Sequence, residues 1–411
     1  MKKILISSIV TSAVYLASCH NSAMNNNDNG TPTDTLPPVE TNKPNTDYKP
    51  AFEGQTRING VKTNTPYESK VITNKLKSPW GIAVLPDGKL LITEKEGTFR
   101  IVYPDGQVSE PITGAPKVDP SGQGGLLGLT LDPDFASNRM VYWAFSEPVE
   151  GGNHTAVAKG KLSEDEKTMT DVQVIYRSTP TYAGRLHYGG RVIFDKDGNL
   201  FVSTGERSDL ETRPLAQDLK SSLGKILRIT KDGKPAQGNP FANRTDALPE
   251  IYSYGHRNPQ GLTIHPETGD LWETEFGPRG GDELNRIEAG KNYGWPVITY
   301  GIEYSGAKIG NPPIQVKEGM EQPVYYWDPV LSPSGTTFYS GKGIEEWKNN
   351  IFIGGLSSTH IARLVIKDNK VVGEERLLAK EGERFRDVVE GLNGELFAIT
   401  DSGKLYQISK K

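Results

Sequence analysis

The sequence predicts an all-β protein: a six-bladed β-propeller of four-stranded antiparallel blades. Three observations carry that prediction. One cassette, two short β-rich runs around a turn, recurs six times. The recurrences lie roughly 50 to 75 residues apart, which leaves room for two further strands in each unit. Long helical periodicity is scarce, which disfavours an alternation of strands with helices.

The chain opens with segments that belong to no blade. Met1-Lys2-Lys3 supplies a positive start and Ile4 to Leu16 a short apolar run. That pattern reads as an export signal, and the run is too short for a comfortable membrane span. It ends in Leu16-Ala17-Ser18-Cys19, which resembles a bacterial lipobox, and Cys19 is the only cysteine of the 411 residues. Residues 1–19 are therefore expected to be a lipoprotein signal peptide. The protein would be exported and held by a lipid on Cys19 to a bacterial membrane, on its periplasmic or cell-surface side. From residue 20 to about 50 the composition turns to Asn, Thr, Pro, Asp and Ser. Such a segment has too little apolar surface to offset the entropy of ordering it, so a disordered tether is expected. Residues 51–411 would form the propeller domain.

The cassettes follow in order. Trp80–Val84 leads through Pro86-Asp87-Gly88 into Leu90–Glu94, and Leu127–Leu131 through Asp132-Pro133-Asp134 into Val141–Ala144. Gly190–Phe194 leads through Asp197-Gly198-Asn199 into Leu200–Thr204, and Gly261–Ile264 through Pro266–Gly269 into Leu271–Glu275. Gly335–Tyr339 with Ile351–Gly354 makes a fifth pair, and Arg386–Val389 with Leu396–Thr400 a sixth. β-Branched and aromatic residues around an Asp-Gly type turn are the marks of a hairpin. Two separate sandwich domains would not explain one recurring cassette.

Several functions are disfavoured by what the chain lacks. The weak net charge of -4 argues against nucleic acid as a partner, which usually needs a concentrated basic face. There is no Gly-x-Ser-x-Gly elbow, no glycine-rich lysine loop for phosphates and no dinucleotide fingerprint. None of the six histidines is paired at zinc-ligand spacing. Between Tyr254 and Trp295, arginines suited to an anion stand close to carboxylates and turn carbonyls suited to a hard cation.

Six motifs occur in one order: Ser121-Gly122-Gln123-Gly124-Gly125, His187-Tyr188-Gly189-Gly190-Arg191, His256-Arg257-Asn258-Pro259-Gln260-Gly261, Gly277-Pro278-Arg279-Gly280-Gly281-Asp282-Glu283, Asn292-Tyr293-Gly294-Trp295-Pro296 and Arg384-Phe385-Arg386-Asp387. From about Lys77 to the C-terminus the chain resembles the soluble aldose sugar dehydrogenases that use pyrroloquinoline quinone, a six-bladed propeller family. The resemblance implies oxidation of an aldose at its anomeric carbon to a lactone, with electrons passed on to a cytochrome or membrane quinone. It implies His187 as the general base, for which an imidazole is suited. Gln123, Tyr188, Arg257 and Asn258 would contact the cofactor, Arg257 also steadying charge on the reduced oxygen. Arg384 and Arg386, two apart and so on one strand face, would pair with its carboxylates. The carbonyls of Gly277 and Pro278 would hold a catalytic calcium, and Glu283 with the Tyr293 carbonyl a structural one. Two positions depart from the family pattern: Ser357 stands where many relatives carry a lysine, and Phe276 where some carry a polar residue. Two rivals remain, a calcium-dependent propeller lactonase and a non-catalytic sugar-binding propeller.

Overall fold

The computed structural model describes residues 36–411; the expected signal peptide, Cys19 and the first part of the expected tether lie outside them. The described chain is almost entirely β. Its one α-helix, Phe135–Asn138, and three short 3-10 turns sit between strands.

Six antiparallel sheets form the six blades. Blade 1 is built on Pro79–Val84, Leu90–Glu94 and Thr98–Val102. Its fourth edge is reduced to two isolated bridges, Phe99 to Ile112 and Val102 to Val108. The other five blades have four strands each. Their innermost strands are Leu126–Leu131, Val192–Phe194, Pro259–Ile264, Pro333–Phe338 and Phe385–Glu390, in blades 2 to 6. The six cassettes are thus the inner two strands of the six blades. Blade 6 is closed by the other end of the chain: Tyr67–Thr73 pairs antiparallel with Leu405–Lys410 as its outermost strand. This closure ties the start of the domain to its end and leaves the ring no open seam.

The turns follow from sequence. In blade 1 Leu85 and Lys89 close the hairpin by a 2.8 Å hydrogen bond, and Gly88 takes φ +84°, a conformation that a side chain disfavours. Apolar residues alternate onto the two faces of each sheet, so every blade buries both faces against its neighbours. The core is accordingly divided into separate clusters, one at each junction between blades. Phe99, Ile101, Trp143 and Phe145 fill the junction of blades 1 and 2. Trp272, Tyr325, Phe338 and Ile353 fill that of blades 4 and 5. Ile82, Ile92, Ile399 and Leu405 seal the last junction, between blades 6 and 1.

The inner strands converge at the axis, which explains the cassette glycines. A Cβ on Gly128 would lie 2.7 Å from the carbonyl oxygen of Gly190 in the next blade. In blade 6 the equivalent place is taken by Asp387, buried and paired with Arg191 at 2.6 Å. Arg191 also donates to the Gln260 carbonyl and lies 4.6 Å from the centre of the Trp80 ring.

The expected tether boundary needs correction within the described residues. Residues 36–50 hold no helix and only an isolated bridge, yet they lie on blades 4 and 5. Glu40 pairs with Arg376 at 2.6 Å, and the amides of Asn45 and Thr46 donate to Asp328. Arg57 donates to the carbonyls of Glu40, Asn42 and Asp328, clasping the segment from the other side. Composition registered the lack of apolar residues but not these side-chain partners.

Candidate active site

The segment His187-Tyr188-Gly189-Gly190 runs into the inner strand of blade 3. Gly189 and Gly190 take φ +64° and +90°, which glycine adopts without strain, and His187 itself takes φ +48°. A non-glycine residue held there costs about 1–3 kcal/mol, and such strain gathers at functional positions. The turn throws the imidazole inward, where only 5% of the residue is exposed. Its backbone amide donates to Gln123 Oε1 at 2.9 Å. Its Nδ1 lies 2.7 Å from Oε1 of Glu206, just past the second strand of blade 3. Glu206 is fully buried and anchored, accepting from the Ser208 amide and donating its own amide to the Arg257 carbonyl.

This pairing settles what the imidazole can do. Burial, and then the positive charge of Arg257, pull the His187 pKa down to about 4, outweighing the pull of Glu206 in the other direction. The ring is neutral at physiological pH. With Nδ1–H donated to the carboxylate, the lone pair at Nε2 is left to accept a proton. Glu206 was not anticipated from sequence. It lies nineteen residues from His187 in a loop without a motif, and only the fold brings the two together.

Arg257 and Asn258 enter at the start of the inner strand of blade 4. Their amides both donate to Glu275 Oε2, which fixes the turn. Asn258 Oδ1 accepts from the Gly189 amide at 3.0 Å, joining blades 3 and 4 beside the His187 turn. Arg257 Nη1 donates to the carbonyls of Gly277 at 2.6 Å and Phe276 at 3.2 Å. Arg257 Nε and Asn258 Nδ2 are buried without any partner. Buried donors are almost always satisfied, so these two unspent ones suit an acceptor.

Next to this centre opens a cavity of about 380 Å³. Trp80, Lys95, Gln123, Gln260, Phe276 and Tyr304 line it together with Ser357, Arg384, Arg386 and Asp401. His187 and Arg257 adjoin it through Gln123 and Phe276. Arg384 and Arg386 do face the same way, as their spacing implied. Both hold Asp401, which bonds Arg384 Nε at 2.9 Å and Arg386 Nε at 2.8 Å. Asp401, in the last turn of blade 6, was also missed in the sequence.

Tyr188 is placed differently from its expected neighbours. Its ring is buried in a cluster with Trp80, Leu127 and Ala144, its hydroxyl donates to Asn153, and the Arg207 guanidinium stacks 4.0 Å away. It supports the turn that carries His187, and like His187, Arg257 and Asn258 it stands behind the residues that line the cavity.

Two groups of cation-ligand candidates meet in blade 4. Asp282 accepts the amides of Gly277, Leu331 and Ser332 and so braces the Gly277-Pro278 turn. A carbonyl oxygen has two lone pairs, so the Gly277 carbonyl that accepts Arg257 keeps one. Glu283 faces Glu275 across adjacent strands, and Glu273 faces Asn285 in the same way. Asn285 donates to both Glu273 and Glu283, at 3.0 and 3.1 Å. Ligand atoms of His256, Glu273 and Glu275 lie within 4.8 Å of one another, and Glu273 Oε1 is buried without a partner. Glu283 keeps some exposure, but toward a small internal void beside Arg257 and Trp295. Burial, and then the negative charge of Glu275, raise Glu273 and Glu283 well above the usual carboxylate range. Tyr293 is close by, its ring stacked 4.9 Å from that of His256. This set is rich in hard oxygens and short of positive charge.

Comparison with known proteins agrees with this geometry. The model of the family described as glucose / sorbosone dehydrogenase matches residues 76–407. The aldose sugar dehydrogenase YliI of Escherichia coli strain K12 is 41% identical over 346 residues, which cover 83% of this chain and 92% of that one. A crystal structure of a glucose dehydrogenase superposes with a TM-score of 0.80 at 42% identity, covering 84% of this chain and 99% of the other. The PQQ-bound form of an aldose sugar dehydrogenase from Streptomyces coelicolor superposes with a TM-score of 0.69 at 32% identity, covering 84% and 98%. With a six-bladed propeller, a motif set in register and matches spanning nearly the whole domain, the chain belongs to the glucose / sorbosone dehydrogenase family.

Proposed function

We propose that this protein oxidises aldose sugars at the anomeric carbon to lactones, using pyrroloquinoline quinone and calcium. The observation that carries the reading is a neutral, carboxylate-oriented imidazole beside a cavity rimmed by cations. The residues present fit the cofactor. Lys95, Arg384 and Arg386 offer three positive charges against the one carboxylate of Asp401, and the unspent donors of Arg257 and Asn258 suit an oxygen acceptor. Trp80, Phe276 and Tyr304 supply flat apolar faces in the same cavity. The relative of known structure from Streptomyces coelicolor is described in its PQQ-bound form, which supports the same assignment.

When bound, the quinone supplies a two-electron acceptor for the hydride of the anomeric carbon, and calcium polarises the accepting carbonyl. The chain's own residues do the rest. His187 Nε2 takes the proton of the anomeric hydroxyl. Glu206 keeps the imidazole in the tautomer that can do so and stabilises the imidazolium that results. Arg257 offers a fixed positive charge where negative charge gathers. The carbonyls of Gly277 and Pro278 would hold the calcium at the quinone. Glu283 with the Tyr293 carbonyl would hold the second ion, beside a partnerless Glu273 oxygen that suits a hard cation. A cytochrome or membrane quinone would take the electrons onward.

The lactonase reading asks for acidic ligands converging on the propeller axis. Among the described residues the axial acid is Asp387, and it is spent on Arg191. The acids that do gather lie off the axis, in blade 4. The decisive experiment is reconstitution. The metal-free protein should reduce a dye with aldoses only when both pyrroloquinoline quinone and calcium are added. Sugar oxidation that instead needs a nicotinamide cofactor would refute the proposal.

A further inference from the structure

We infer that Lys95 is a third cationic anchor for the carboxylates of the bound quinone, an assignment that rests on the proposed cofactor. Lys95 follows the second strand of blade 1, on a different blade from Arg384 and Arg386, and its side chain borders the same cavity. Its Nζ donates to the Gly122 carbonyl at 2.8 Å. An ammonium has three donors, so this bond leaves two for a ligand. Among the described residues no carboxylate lies within salt-bridge distance of Lys95. Asp401, the acid in the cavity, is engaged by both arginines. A half-buried cation beside another cation, without a counter-ion of its own, is unfavourable unless an anion joins them. The direction of its titration agrees: burial first, and then the charge of Arg386, hold Lys95 below the usual lysine range. Three cations against one carboxylate leave two positive charges unmatched. That excess suits a rigid ligand with several carboxylates better than a neutral sugar. The mobile ammonium can follow a carboxylate that the rigid guanidinium forks of the arginines do not reach.

The competing role is purely local: Lys95 could serve only to pin the turn before Gln123, whose side chain holds the His187 amide. A titration of the full chain with pyrroloquinoline quinone, in saturating calcium and followed by the cofactor's fluorescence, separates the two roles. Lys95→Met should weaken binding about tenfold, in the range of one charge-assisted contact. Lys95→Arg should bind nearly as wild type. Ser357 lines the same cavity, so adding Ser357→Lys to Lys95→Met should recover most of the lost affinity. Melting temperature should stay at the wild-type value throughout. Unchanged affinity in Lys95→Met would overturn the assignment. So would a loss that Ser357→Lys does not recover and that comes with a lower melting temperature, since that marks the local role. Absence of cofactor binding in the wild type would overturn the cofactor reading, and this assignment with it.

Discussion

The buried centre that adjoins the cavity (its inner end) and the cavity lining around Asp401 (its rim) both present arginines, but in opposite states. At the inner end Arg257 is buried, donates only to carbonyls and keeps Nε without a partner. At the rim Arg384 and Arg386 are more exposed and share the carboxylate of Asp401. The charge of Arg257 is therefore available to whatever binds, and it already acts on its neighbour by helping to keep His187 neutral. The rim charges are partly spent, and a ligand there must compete with Asp401 and with water. On the proposed function, the inner end serves the reaction and the rim holds the ligand.

That division makes the effects of mutations separable. The largest effect belongs to the inner end. His187→Ala should lower turnover roughly a hundred- to ten-thousand-fold, as the loss of a general base does, with cofactor affinity little changed. Near-normal turnover in a cofactor-loaded mutant would place the base elsewhere. Arg386→Met should do the reverse. Cofactor affinity should fall about tenfold while turnover at saturating cofactor holds, since one charge-assisted contact is lost outside the reacting centre. If turnover at saturation collapsed instead, the division between rim and inner end would fail.

The smallest effect should come from blade 4. Glu283→Gln keeps the size of the side chain and removes one charge from the proposed structural cation site. The stabilisation that bound calcium lends should shrink, so the mutant should melt lower at limiting calcium and recover as calcium is raised. Turnover at saturating calcium should stay close to wild type. Abolished turnover with unchanged melting would move Glu283 to the cofactor's ion.

The same contrast explains what was legible in the sequence. The inner two strands of every blade were, because their alternation and turns are local signals written six times. The outer strands were not, and the closing strand Tyr67–Thr73 could not be, because its partner Leu405–Lys410 lies at the far end of the chain. His187, Arg257, Asn258, Arg384 and Arg386 stood in motifs, and the fold brings them to one region in or beside the cavity. Glu206 and Asp401, which orient and neutralise them, stand outside motifs and became visible only with the fold. Tyr188, beside His187 in sequence, was grouped with the ligand contacts, and the turn packs its ring against Trp80, Leu127 and Ala144. Residues 36–50 read as tether because docking through Asp328 and Arg376 depends on hydrogen bonds that composition does not encode.

The central claim is that the base is a buried imidazole kept neutral by its surroundings. The most direct test is the pH dependence of turnover in the cofactor-loaded enzyme, with folding and cofactor occupancy monitored at each pH. The base works only when unprotonated, and its pKa is lowered to about 4. Turnover should therefore be flat from about pH 5.5 upward through neutrality and fall only as the pH drops through about 4. A midpoint near the ordinary histidine value of about 6.5, with the fold intact and the cofactor bound, would contradict the account.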